Sequence, residues 1–202
     1  MPGPGMFDKI LRFEQALAAF TAAPYAIMTD CCTHAIELCL RHDGVTECSF
    51  TPYTYLSVPM TMHKLGIQYH YHDHAWQRWI GEYQFVGTRI WDSARRLEKN
   101  MYRPGQMQCL SFGHSKPLQI GRGGAILLDD ADAYDVMITQ RSDGRDLAIA
   151  PWQDQQVFRV GYHYRPTIEE AERALELLPT VNDGPKYHAY PDLRQIQITA
   201  QR

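Results

Sequence analysis

A chain of 202 residues with 45% hydrophobic and 21% charged side chains can bury a sizeable core unaided, as one domain. Its formal charge of −3 gives no electrostatic case for nucleic acid or an anionic membrane as the main partner. Five cysteines, two of them adjacent (Cys31 and Cys32), make neither a disulfide framework nor a zinc spacing, so a reducing, cytoplasmic setting and no metal site are expected.

The N-terminal Met1 to Gly5 lacks the basic and apolar runs of a signal peptide, and nothing approaches the ~18 uninterrupted apolar residues of a membrane span. Phe7, Ile10, Leu11, Phe13, Leu17 and Phe20 recur at helical spacing and predict a helix over Phe7–Phe20. A short apolar strand, Tyr25–Met28, precedes a second helix from His34 to about Arg41, which Gly44 suits as a stop. Cys48–Phe50 reads as a strand, Pro52–Leu65 as a loop feeding a helix that ends at Gly66, and Ile67–His72 as a strand. Phe85–Trp91, Met107–Phe112 and Ala125–Leu128 complete the strands. Thr167 and Glu170 form a capping box, and Ile168, Ala171, Leu175 and Leu178 line one face of a helix that Pro179 ends. Strands separated by helices imply an α/β fold with a mostly parallel sheet. Residues 1–180 are read as one compact domain and 181–202 as an irregular tail.

Three local patterns carry chemistry. Ser111-Phe112-Gly113-His114-Ser115-Lys116 places a lysine just past a strand end, before the glycine-rich Gly121-Arg122-Gly123-Gly124. In a crevice, desolvation makes such an amine nucleophilic; on the surface it is only a loop lysine. Asp92 stands at the C-terminal end of the strand Arg89-Ile90-Trp91, where α/β folds place their ligands, although a helix cap is the commoner reason for such an acid. Cys31-Cys32-Thr33-His34-Ala35 is a strand-to-helix turn of small residues whose free amides and Thr33 hydroxyl could seat a phosphate, or simply start a helix. His70, His72 and His74 alternate along one strand, with no partner spaced to complete a metal site. Trp76 and Trp79 are read as packing residues. Cys31 and Cys32 have no evident base beside them.

The order of these patterns resembles the DegT/DnrJ/StrS-type family of pyridoxal-phosphate (PLP) sugar aminotransferases. Phe13-Glu14 precedes Cys31-Cys32-Thr33-His34-Ala35-Ile36 as the family's opening helix precedes its S-G-T-x-A-L phosphate turn. Pro52-Tyr53-Thr54-Tyr55 looks like P-x-x-T-F, Trp91-Asp92-Ser93-Ala94-Arg95 like E-D-A-A-H/Q, and Ser111 to Lys116 with Gly121 to Gly124 like S-F-x-x-x-K with G-E-G-G. Arg141-Ser142-Asp143-Gly144 is similar to L-R-x-x-G and Gly161-Tyr162-His163-Tyr164-Arg165 to G-x-N-x-R. The resemblance runs from about Phe7 to Leu178. His163 stands for an asparagine, Arg95 for a His/Gln near the ring hydroxyl, Arg122 for a glutamate, and the cysteine pair for Ser-Gly. Only His74 to Trp91 separates two segments that the family joins through an extra strand–helix unit.

The resemblance implies an aspartate-aminotransferase-like (fold type I) large domain, three-layered, with the small C-terminal domain largely missing. It implies PLP as cofactor, bonded as a Schiff base to Lys116 and met at its ring nitrogen by Asp92. Tyr55 would stack on the ring and Arg95 stand near it. Ser111, Thr33, Cys32 and His34 would hold the phosphate, with His163 reaching it from the other subunit of a homodimer with shared active sites. The expected reaction moves an amino group from an amino-acid donor to a keto-sugar or related small keto acceptor. A PLP-dependent dehydratase or lyase, or a non-catalytic relative used in binding or assembly, are the alternatives; lysine at position 116 argues against the dehydratase route, whose enzymes carry histidine there.

Overall fold

The computed structural model describes residues 7–72, 80–149, 151–182 and 190–199. Among the described residues there are seven strands: β1 Tyr25–Thr29, β2 Glu47–Phe50, β3 Gln68–Tyr71, β4 Tyr83–Gln84, β5 Ile90–Asp92, β6 Met107–Ser111 and β7 Gly124–Leu128. Among the described residues, the α-helices that accompany them are α1 Asp8–Thr21, α2 Cys32–His42, α3 Ser57–Leu65, α4 Ala131–Gln140 and α5 Ile168–Leu177. The expected helices fall within a few residues of α1, α2, α3 and α5, and the Thr167–Glu170 capping box is formed. Helix α4 was not anticipated; Asp130 caps it by accepting from the Ala133 amide.

Five strands make one sheet in the order β1-β7-β6-β5-β4, and β2 and β3 pair beside it. The two are linked through Ser49 and Val86, whose amides and carbonyls bond reciprocally. The expectation of a mostly parallel sheet is corrected: β5–β6 and β2–β3 are parallel, whereas β1–β7, β6–β7 and β4–β5 are antiparallel. The expected single strand over Phe85–Trp91 is in fact a turn leading into β5. Phe85 donates to the Ile90 carbonyl at 3.0 Å, with Gly87 at φ +94°. Five residues are too few for the crossover that a parallel pair needs, so β4 and β5 close as a hairpin.

Strands β1, β6 and β7 are buried on both faces, which is why they read as near-continuous apolar runs. Ile27, Cys109 and Ile126 face a layer formed by α2, α3 and α4. Met28, Leu110 and Leu127 face the layer of α1 and α5. The three-layer arrangement is therefore as expected. Along the second layer, Glu14 of α1 accepts from the Met28 amide at 2.7 Å and is paired with the buried guanidinium of Arg141 just beyond α4. Both motif residues thus tie elements together and lie away from the site.

Candidate functional site

Because β7 is antiparallel to both β1 and β6, those two strands run the same way, and β5 is parallel to β6. The C-terminal ends of β1, β5 and β6 therefore meet on one edge of the sheet, the edge where open α/β folds bind ligands. Asp92 ends β5, Ser111 ends β6, and the Cys31–Thr33 turn follows β1. Lys116 is carried back over the same edge by a loop closed at its base by Phe112 donating to Gly123 O and Ile120 donating to Phe112 O. A cavity of about 380 Å³ opens there, lined among others by Cys32, Thr33, Tyr55, Asp92, Ser111 and Lys116. Those six expected residues, with Arg95, share one cavity wall.

Asp92 is buried. Its Oδ1 accepts from the Ala94 amide at 2.9 Å, its Oδ2 from the Tyr83 hydroxyl at 2.7 Å, and Tyr83 is held in turn by Thr54 at 2.6 Å. The turn at Asp92–Ala94 explains the acid locally, yet no helix follows it. Burial pushes the Asp92 carboxyl up, and Tyr83, the Ala94 amide, Lys116 and Arg95 pull it back only in part. A cation meeting Asp92 from the cavity would complete that compensation. Cys32 faces the same carboxylate; burial and Asp92 together push its thiol well up, so it stays protonated and inert.

Lys116 is half-buried and donates from Nζ to the Tyr190 hydroxyl at 3.3 Å. Tyr190 comes from the C-terminal segment that the sequence marks only as an irregular tail. That segment is docked by Leu193, which is 3% exposed and donates its amide to Pro52 O at 3.1 Å, and by Asp192, which accepts from the Tyr53 hydroxyl. Tyr83, Thr54, Ser57 and Tyr190 are site residues that sequence reasoning missed. Thr54 lies inside the Pro52–Tyr55 motif but is given no role by it, Tyr83 and Ser57 carry no signature, and Tyr190 arrives by docking alone.

The Cys31–Thr33 turn opens α2 with Cys31 as N-cap and no side chain capping it. The Ala35 amide goes to Cys31 O, so the amides of Cys32, Thr33 and His34 are those a helix start leaves for an anion. The Thr33 hydroxyl bonds the Ser57 hydroxyl at 2.8 Å. Gly124 explains part of the glycine-rich motif: a Cβ there would overlap the backbone of Cys31 and Cys32, so only glycine lets β7 approach the turn so closely.

Two expected residues lie elsewhere. The His34 side chain is outside the cavity wall, bonded through Nδ1 to Asp30 at 2.6 Å and stacked on the Tyr164 ring at 3.7 Å. Its i,i+4 partner and that aromatic capture the imidazole, leaving only its amide facing the turn. His163 is exposed and bonded to Asp143 at 2.9 Å, and does not line this chain's cavity. Beside the cavity, Asp30, Cys31 and His34 bring one ligand atom each within 4.8 Å, so Cys31 does have an imidazole near it. Arg122 already pairs with Asp30 at 2.7 Å. Of the histidine row, His70 is exposed near Glu47, while His74, Trp76 and Trp79 lie outside the described residues.

Residues 5–90 match the DegT/DnrJ/EryC1/StrS aminotransferase family, the one that the motifs resemble. None of the curated proteins matches. Among solved structures, AtS13 from Actinomadura melliaura superposes with a TM-score of 0.71 at 21% identity, over 89% of this chain and 60% of that one. PseC of Helicobacter pylori, an aminotransferase involved in the biosynthesis of pseudoaminic acid, gives 0.69 at 16%, over 86% and 58%. The GDP-4-keto-6-deoxymannose-3-dehydratase ColD gives 0.67 at 14%, over 86% and 62%. The fold is thus that of the fold-type-I sugar aminotransferases, and this chain spans somewhat over half the length of the structures it matches. No described helix is long and apolar enough to cross a membrane.

Proposed function

We propose that this chain, similar over residues 5–90 to the DegT/DnrJ/EryC1/StrS aminotransferases, binds pyridoxal phosphate and transfers an amino group from an amino-acid donor to a small keto acceptor such as a keto-sugar. The single observation that carries this reading is that Lys116 and Asp92 share one cavity with an uncapped helix start. The residues present fit the cofactor by charge as well as by place. A buried carboxylate left undercompensated suits a protonated ring nitrogen, and the amides of a helix start that no side chain caps suit a phosphate.

When bound, pyridoxal phosphate supplies an aldehyde that bonds an amine and a ring that accepts electrons from the neighbouring carbon. Lys116 is the amine that would hold it and, when its amine is free, the base that would move the proton from the donor's Cα. Asp92, fixed by Tyr83 and the Ala94 amide, would keep the ring nitrogen protonated. Ser111 and the Cys32–His34 amides would hold the phosphate, and Tyr55, 62% exposed at the cavity rim, would stack on the ring. Residues 1–180 would form the cofactor-binding unit. A homodimer is part of the proposal, in which the exposed His163 of each subunit serves the other's phosphate.

The dehydratase alternative draws on the likeness to ColD, but Lys116 is an amine able to carry the cofactor and return the proton. The purified protein with added cofactor is expected to absorb near the visible edge. Glutamate should abolish that band and leave pyridoxamine phosphate. A band that no amino acid alters would sink transamination.

A further inference from the structure

Arg95 stands three residues past Asp92, its amide held by Gly81 O at 3.2 Å, and its side chain lines the cavity with the residue only 9% exposed. Several buried and half-buried arginines elsewhere sit on carboxylates, Arg141 on Glu14, Arg96 and Arg103 on Glu82, Arg89 on Asp43 and Asp130, while the half-buried Arg145 and Arg165, which have no such partner among the described residues, lie outside the cavity wall. Arg95 has no such partner among the described residues. One long bond from its terminal nitrogen to Ser115 O, at 3.4 Å, and the face of the Tyr190 ring, 5.4 Å from the guanidinium carbon, are its contacts. Its Nε is buried with no hydrogen-bond partner among the described residues.

Asp92 feels the Arg95 charge across the cavity but does not bond it, and a guanidinium taken out of water without a bonded carboxylate is costly, since buried donors are nearly always satisfied. The planar fork of donors matches a carboxylate or phosphate, bound by two parallel bonds. The phosphate seat of the cavity is the start of α2, leaving a carboxylate for Arg95. The Tyr190 that Arg95 stacks on also accepts from Lys116, so the guanidinium and the reactive amine flank one side chain. A ligand gripped by Arg95 with its own amine beside Lys116 carries amine and carboxylate close together, as an α-amino acid does.

We propose that Arg95, backed by Tyr190, binds the carboxylate of the amino-acid donor. Choosing a carboxylate over a phosphate, and assigning it to the donor, rests on the pyridoxal-phosphate reading; the anion subsite at Arg95 itself does not. The test is therefore made first on cofactor-free protein labelled with nitrogen-15, following the Arg95 Nε–H resonance, identified by its loss in R95K. Glutarate and glutamate are expected to move it to saturation, and inorganic phosphate at the same concentration is expected to leave it in place. R95K should weaken glutarate binding at least tenfold with the amide spectrum otherwise retained, and Y190L, which removes the ring that backs the guanidinium, should weaken it several-fold. No saturable shift with either carboxylate overturns the proposal, and so does a phosphate shift as large as that with glutarate. Should R95K fail to fold, the Nε–H assignment comes from the chemical-shift pattern of a Y190L spectrum and the same titration decides. Failure of the protein to take up cofactor would sink the earlier reading while leaving this titration intact.

Discussion

Tyr83 donates a 2.7 Å hydrogen bond to Asp92 Oδ2 from a hydroxyl that Thr54 holds at 2.6 Å. The pair fixes the carboxylate's orientation at the floor of the cavity, but one neutral donor does not repay its burial.

The first prediction follows from that shortfall. A carboxyl whose value is raised in the folded state holds its proton more tightly there than in the unfolded chain. Stability is then greatest at low pH and is lost as pH rises above the ordinary carboxylate range through the folded value. D92N, lacking this loss, should melt higher than the wild type at neutral pH, with the gap narrowing towards pH 4. Added pyridoxal phosphate should shrink the gap, since its ring cation repays Asp92. Amino transfer in D92N should fall by roughly 10²–10³. Melting curves across pH and single-turnover rates check both halves.

His34 gives a second, oppositely placed pH effect. Burial lowers its value, but the bonds to Asp30 and Cys31 outweigh burial and raise it to about 9. A raised histidine contributes stability that is fully present below its unfolded value near 6.5 and lost as pH rises through about 9. The melting temperature of the wild type should therefore fall between pH 6.5 and 9 more steeply than that of H34Q. Equal slopes would contradict the Asp30–His34 pairing.

Glu14 and Arg141 form a buried pair between α1 and the end of α4. Removing one partner strands a charge in the core, so E14L and R141M should each cost about 3–5 kcal/mol in urea unfolding. The double variant E14L/R141M should recover most of that loss. Additive losses would show that the two side chains do not interact.

G124A is predicted to destabilise by about 1–3 kcal/mol, because a Cβ meets the backbone of the Cys31–Cys32 turn and one strand must give way. Since that turn is the proposed phosphate seat, cofactor affinity should fall with stability. Urea titration and cofactor binding on the same sample separate the two effects.

Much of this was legible from side-chain pattern. Strands β1, β6 and β7 announce themselves as apolar runs because both their faces are covered, and Asp92, Ser111 and Lys116 sit at strand ends where motifs place them. Strand direction was not legible: alternation of strands and helices suggests parallel pairing, but the short link over Phe85–Arg89 forces a hairpin. Helix α4 buries only Ala133 and Met137, too narrow a stripe to stand out among acidic neighbours. His34 was drawn off the cavity by Asp30 and Tyr164, contacts that depend on local helix geometry and on a residue 130 positions away. Tyr190 could not have been found at all, since a polar tail gives no sign of docking through Leu193.

The central claim is that Lys116 is the amine that bonds the cofactor. Incubation with pyridoxal phosphate, reduction with borohydride and peptide mass mapping test it most directly. One reduced cofactor per chain on the Lys116 peptide, absent in K116A while the fold persists, is the expected result. Label spread over surface lysines, or undiminished in K116A, would contradict it.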